Sequence, residues 1–392
     1  MTNQRHAGLD TRPLVEWCAE HIKSPVLRLR FLRVVMAPPR DQPPRRRSYE
    51  FWLLVTCLAG VMLFEAPTSA PRTRAVHGPR RLSAARPLPR LAAVQHVDQT
   101  PKIWQVERTD DFETYSNGLR IDNRFSISNR ARSYLVFDAT RPDDIRGQRR
   151  SVPAGIVFHT TETKQAPFES GQNAALKRIG ESLLTAVRLK RSYNFLIDRF
   201  GRVYRVVLET DSANHAGNSV WADSEWLYLS LNQSFLGVSF ETETLPGQTE
   251  ATVNPAQLRA AAMLTELLRQ RYGIPSGNCV THAQVSVNVS NLLIGYHTDW
   301  ASSFPFEQLG LPDNYAIPLP AVSAFGFDHD PAFVHQAGVR MCQAVWLAEQ
   351  VLSGRAAAAH LTVPAYRTAL QGKYRSQLSA VRGDAIGMDL QE

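Results

Sequence analysis

The stretch Gly155-Ile156-Val157-Phe158-His159-Thr160-Thr161-Glu162 limits the possible folds of this chain more than any other. A short apolar run that ends in a histidine and passes into Thr-Thr-Glu fits a buried strand better than a helix, which needs a longer periodic pattern. Pro153 stands just ahead of it, where a strand can begin without a backbone N–H. A histidine at the carboxyl end of a central strand points into the crevice where open α/β sheets keep their sites. A lone histidine is more often a satisfied core residue, but the pattern of residues 172–300 argues against that reading here.

A helix is expected over about residues 172–190, with Leu176, Ile179, Leu183, Leu184 and Val187 at helical spacing and basic residues at its end. Ser192 to Val207 reads as a hairpin, two alternating runs around Asp198-Arg199-Phe200-Gly201. Ala213 to Asn218 is a small polar loop holding His215. Residues 218–234 read as a long loop carrying Trp221, Trp226 and Tyr228. Leu236 to Glu243 is a strand on which Ser239, Glu241 and Glu243 share a face. Asn254-Pro255 is an N-cap with proline at N1, opening a helix that Gly273 stops. Val280-Thr281-His282 repeats the strand-ending-in-histidine pattern, and Tyr296-His297-Thr298-Asp299-Trp300 comes after it. Strands alternating with helices predict an α/β fold, a central mixed β-sheet flanked by helices. Residues 101–151 read as a short β-rich extension and 319–392 as a helical C-terminal extension. In the latter His329, His335 and His360 are taken as structural or exposed.

The charge is unevenly spread. The net value is +8, but residues 1–100 hold 16 Lys and Arg against 7 Asp and Glu, and the remainder 28 against 29. A nucleic-acid-binding fold carries its basic patch on the folded body, so nucleic acid is set aside as a partner. The 1–50 segment is basic. The 14 residues of 51–64 are uncharged and mostly apolar, with Arg45-Arg46-Arg47 upstream. A spanning helix wants roughly 20 apolar residues and a signal-peptide core about 7–15. This run is therefore expected to be an N-terminal export segment, cleaved or kept as a membrane anchor, that places the body in the periplasm or cell envelope. Residues 65–100 are rich in Pro, Arg and Ala and read as an extended linker. Of the four cysteines, only Cys279 and Cys342 lie in the body. They form no CxxC site, and a disulfide is allowed but not required.

Taken in order, strand-His159, Ser-Tyr-Asn-Phe-Leu-Ile-Asp-Arg-Phe-Gly-Arg-Val-Tyr, His-Ala-Gly, Leu-Gly-Val-Ser-Phe, Asn-Pro-Ala-Gln-Leu with a helix, and Thr-His282 resemble the zinc-dependent N-acetylmuramoyl-L-alanine amidases. This is the family of type 2 amidases, T7 lysozyme and peptidoglycan recognition proteins. The resemblance covers about residues 152–310, and the domain it implies is 152–318. It implies one zinc ion held by His159, His282 and Asp299. His297 takes the basic slot two residues before Asp299 and is the alternative third ligand. Trp300-Ala301 replaces the family's Pro-Gly, and the long gap from His282 to Asp299 implies an insertion around residues 287–295. Tyr193 matches the catalytic tyrosine, although Asn194 replaces the histidine that follows it in the family. The family's catalytic glutamate falls on Ser239, so Glu241, two residues on, is the expected base and Glu162 the fallback.

Two histidines and one carboxylate leave tetrahedral zinc an open position, as in catalytic sites. The metal acidifies its water and polarises the amide carbonyl. Glu241 could then take the proton, and Tyr193 and His297 could donate to the oxyanion. His215, Asn218 and Trp221 are expected to contact substrate. The implied activity is hydrolysis of the amide between N-acetylmuramic acid and L-alanine in peptidoglycan or muropeptides. The competing reading is a module of the same fold that binds muropeptides without cleaving them, and the missing glutamate at 239 is its best argument.

Overall fold

The computed structural model describes residues 102–141, 144–244 and 250–389. The basic segment 1–50, the apolar run 51–64 and the linker 65–100 lie outside the described residues. Among the described residues no helix is long and apolar enough to cross a membrane.

In chain order the strands are β1 (Gln105–Arg108), β2 (Phe112–Tyr115), β3 (Arg120–Asp122), β4 (Tyr134–Asp138), β5 (Gln148–Arg150), β6 (Gly155–Thr160), β7 (Phe195–Ile197) and β8 (Val203–Arg205). Then come β9 (Val220–Ala222), β10 (Trp226–Leu229), β11 (Phe235–Phe240), β12 (Cys279–Thr281), β13 (Val287–Asn288), β14 (Leu293–Ile294) and β15 (Asp328–His329). The long helices are α1 (Asn173–Lys190), α2 (Pro255–Tyr272), α3 (Pro331–Ala358, broken at Gly338) and α4 (Val363–Asp389).

The main sheet is mixed and has the order β1-β2-β3-β8-β7-β11-β6-β12. At its centre β7, β11, β6 and β12 run parallel. β6 and β11 are buried at every residue, which is why both read as nearly unbroken apolar runs: a parallel strand is covered on both faces. Phe195 and Ile197 join α2 in the main apolar cluster, whereas Leu196, between them, packs with Leu184 and Val187 of α1. The two helices therefore cover opposite faces, as the period of two requires. Gly201 closes the β7–β8 hairpin at φ 75°, and a Cβ there would lie 2.6 Å from the Ala256 carbonyl oxygen, so this turn docks on the start of α2 only as glycine. Asn254 caps α2 by accepting from the Ala256 and Gln257 amides, and Gln257 in turn accepts from the Asn254 amide.

Two regions depart from the sequence reading. Residues 218–234 are not a plain loop: they hold the paired strands β9 and β10, and β10 also pairs with β4 in a second sheet ordered β5-β4-β10-β9. The partner strand β4 lies about ninety residues upstream, and no local pattern could have revealed that pairing. The β-rich N-terminal stretch likewise extends both sheets, and one apolar cluster runs from Ile103 through the central strands to Val381 of α4. Cys279 is a buried free thiol, and Cys342 is buried as well.

Candidate metal centre

The parallel strands deliver their carboxyl ends to one place. His159 is the fifth residue of β6, and Ser239 of β11 stands opposite it in register. β12 ends at Thr281, and His282 opens a single helical turn, His282–Val285. Gln284 holds that turn: its Oε1 accepts from the Thr281 amide at 2.9 Å, and its Nε2 donates to the Asn314 carbonyl at 2.9 Å. The segment that carries Asp299 is then laced to the same turn. The Ala283 amide donates to the Asp299 carbonyl at 3.2 Å, and the His297 amide donates to Ser286 Oγ at 2.9 Å. The extra residues after His282 form the β13–β14 hairpin, with Val287 opposite Ile294 and Asn288 opposite Leu293, whose closure returns the chain to the site. The insertion therefore lengthens the chain path without moving the carboxylate away.

Asp299 meets both imidazoles. Its Oδ1 lies 2.8 Å from His282 Nδ1 and its Oδ2 lies 3.3 Å from His159 Nδ1. All three side chains are buried, and their donor atoms lie within 4.8 Å of one another. Burial alone would raise the Asp299 carboxyl, but His282 and His159 beside it hold it well below the usual range. Burial, with His282 adjacent, pushes His159 down to about 4. A neutral-nitrogen and carboxylate donor set of this size suits a divalent metal, and zinc in particular. His282 Nε2 is buried with no hydrogen-bond partner among the described residues, an orphaned polar atom at the cluster. The residues present thus fit a metal.

His297 does not join the cluster. It is exposed and stacks on His282, with ring centroids 4.4 Å apart and planes at 21°. Tyr193 does reach the site, its ring 5.1 Å from that of His159, on left-handed backbone at φ 61°. Burial, with Asp299 near, pushes its hydroxyl up to about 12. Asn194, in the family's histidine position, is fully buried and braces the backbone: Nδ2 donates to the carbonyls of Val207 and Leu208, and Oδ1 accepts from the Gly237 amide.

Glu241 is directed elsewhere. Its carboxylate accepts from the Arg199 amide at 3.1 Å and lies beneath Gly180 of α1. Burial lifts it to about 7, and the charges acting on it are those of Asp198, Arg199 and Arg202. Past the end of β11 the backbone still pairs with β7, the Glu241 amide donating to the Ile197 carbonyl, and this turns the side chain toward α1. The Tyr193 hydroxyl feels the charge of Glu162. Glu162 is exposed, at φ 50°, and its carboxylate accepts from Thr160 Oγ1 and from the amide and hydroxyl of Thr244.

Two expected substrate contacts require correction. Trp221 is 1% exposed and packs in the core beneath the second sheet, its indole donating to Asn278 Oδ1 at 3.1 Å, so it has no face to offer a sugar. His215 is also buried: its Nδ1 lies 3.1 Å from His159 Nε2, behind the metal-facing nitrogen and not on a groove. Asn218 alone of the three is exposed. A second acidic–histidine group, Asp328, His329 and Glu349, escaped the sequence reading because Glu349 is remote in the chain from the other two. There Arg367 already holds both oxygens of Glu349 at 2.7 Å.

An α/β domain with two histidines and an aspartate at the carboxyl ends of parallel strands is the class these observations define. Residues 148–299 match the family model described as N-acetylmuramoyl-L-alanine amidase. No curated protein matches the sequence. Among solved structures the chain is similar to AmpDh3 from Pseudomonas aeruginosa in complex with anhydromuramic pentapeptide, at 21% identity and TM-score 0.31, over 40% of this chain and 58% of that one. It is also similar to the amidase AmiD from E. coli, in complex with the substrate anhydro-N-acetylmuramic acid-L-Ala-D-gamma-Glu-L-Lys, at 20% identity and TM-score 0.33, over 52% and 89% of the two chains. A third is PGRP-Hd from Alvinella pompejana, at 16% identity and TM-score 0.24, over 33% and 73%.

Proposed function

We propose that this protein is a zinc-dependent amidase that hydrolyses the amide between N-acetylmuramic acid and L-alanine in peptidoglycan or in muropeptides released from it. The observation that carries the reading is the buried convergence of His159, His282 and Asp299 inside the part of the chain that matches the amidase family model. These three residues would hold the metal, which when bound supplies a Lewis acid and an acidified water. The remaining roles belong to the chain itself. Tyr193, protonated throughout the neutral range, donates to the developing oxyanion. We assign the proton-accepting role to Glu162, whose charge acts on the Tyr193 hydroxyl and whose carboxylate accepts from Thr160 and Thr244. Peptidoglycan lies outside the cytoplasm, so the reading goes with export of the body by residues 51–64. A reporter enzyme that works only outside the cytoplasm, fused after residue 100, tests that part.

A specific observation favours one competitor, a muropeptide-binding module that does not cleave. The family's base position is the buried Ser239, and Glu241 is occupied by Arg199. Peptide release from purified wall and from N-acetylmuramoyl-peptides, with metal content measured in parallel, separates the two. Glu162→Gln should keep its metal and lose about 10²–10⁴-fold in turnover, while Glu241→Gln stays within a few-fold of wild type. The reverse pattern would restore Glu241 as the base. A wild-type protein that holds zinc and muropeptide yet releases no peptide is the binding module.

A further inference from the structure

His215 takes no part in the chemistry proposed for the site, yet it is held there by several independent contacts. Its Nδ1 lies 3.1 Å from His159 Nε2, and its Nε2 lies 3.3 Å from the carbonyl oxygen of Phe235. The same carbonyl accepts from Arg132 Nη1 at 3.1 Å. A carbonyl can only accept, so the hydrogen of the neutral His215 ring sits on Nε2, which leaves Nδ1 as an acceptor. The partner of Nδ1 must then donate, and that partner is His159 Nε2. With its hydrogen fixed on Nε2, His159 presents the bare Nδ1 to Asp299, 3.3 Å away, on the side where a metal would bind.

Two further features hold this ring. Gly237 of β11 leaves the slot it occupies: a Cβ there would lie 2.6 Å from His215 Cγ and 2.9 Å from Cδ2. The backbone of the His215 loop is gathered by one side chain, Asn232, whose Oδ1 accepts from the amides of His215, Ala216 and Gly217 at 2.9, 2.6 and 3.3 Å. We infer that His215 is a positioning residue, which fixes the tautomer and ring orientation of His159 through the chain Phe235 C=O, His215, His159, so that Nδ1 of His159 is pre-set as a metal donor. The inference rests on the metal-centre reading of the site, but its first test does not. Partners that hold the far nitrogen of a metal-binding histidine typically contribute about 10–100-fold in metal affinity.

The tautomer of His159 is read directly by long-range ¹H–¹⁵N correlation on the metal-free, histidine-labelled full-length chain. Wild type should show the hydrogen on Nε2. His215→Asn keeps an acceptor where Nδ1 stands and should preserve that tautomer. His215→Leu removes it, and Gly237→Ala displaces the ring without altering it; both should give a mixture. Zinc affinity by chelator competition should fall about 10–100-fold in the Leu and Ala variants and stay within about three-fold in the Asn variant. The visible spectrum of the cobalt-loaded protein should shift in the same two variants. Should His215→Leu not fold, Gly237→Ala against His215→Asn carries the comparison. An unchanged His159 tautomer with unchanged zinc affinity in either of the two disrupting variants overturns the inference. A wild-type protein that binds no zinc overturns the metal centre instead, and the positioning role is then decided by the tautomer alone.

Discussion

Among the described residues, two of the buried charged clusters are built on opposite principles. The first joins Glu113 of β2, Arg205 of β8, the loop residue Glu209, and Arg271 of α2. Arg205 reaches Glu209 at 2.7 Å and Glu113 at 3.0 Å, while Arg271 reaches Glu209 at 3.4 Å and the Tyr115 hydroxyl at 2.7 Å. Cations match anions, and the cluster ties the N-terminal strands to the main sheet and to α2. The second is His159, His282 and Asp299. Here one carboxylate faces two imidazoles, His282 Nε2 and the nearby Trp300 indole lack partners among the described residues, and Glu162, Tyr193 and Trp300 all sit on left-handed backbone. Strain and unmet polar groups cost stability and persist where a site needs them. The side chains of the first network are hydrogen-bonded or ion-paired to one another, and those of the second are not all partnered.

Asp299 puts this contrast to its hardest test. Asp299→Asn should abolish stoichiometric zinc binding, measured by elemental analysis, and should leave the melting temperature of the metal-free protein unchanged or higher. A loss of stability like that of a core mutation would make the second cluster structural too. Arg205→Met does the opposite. It leaves Glu113 and Glu209 buried without their cation and should cost about 3–5 kcal/mol in urea unfolding, with zinc content intact.

Glu241 gives a smaller effect with a distinctive pH dependence. Its carboxyl is raised by burial to about 7 from the ordinary 4.5. Between those values the native state holds a proton that the unfolded chain has released, so stability falls as pH rises through that window and levels off above about 7. Glu241→Gln should remove that slope and gain about 2–3 kcal/mol over wild type at pH 8, with little difference at pH 4. A wild-type stability curve flat across the window would show the carboxyl to be ionised and paired. The smallest effect is expected at Trp221. Trp221→Phe loses the bond to Asn278 and should cost about 1–2 kcal/mol with muropeptide affinity unchanged. A fall in affinity without a fall in stability would return Trp221 to the substrate groove.

Elements whose physics is local were legible in the amino acids alone. The unbroken apolar runs of β6 and β11, the spacing of α1, the Asn254-Pro255 cap and the Asp198–Gly201 turn each encode their own geometry, because the period of a strand or helix and the chemistry of a cap act over a few residues. Strand-end placement also brought His159 and His282 into view, and the family pattern added Asp299 and Tyr193. Everything else waited on long-range packing. Trp221 looks like a sugar platform in a loop until β4, far upstream, joins its sheet and the core closes over it. Glu241 shares a face with Ser239 by the period of two, yet the turn past β11 gives its carboxylate to Arg199. His215 reads as the wall of a groove until Gly237, on another strand, opens a slot behind His159. In each case burial and partner depend on a segment remote in sequence, and a pattern that repeats every two or four residues carries no information about what folds back onto it.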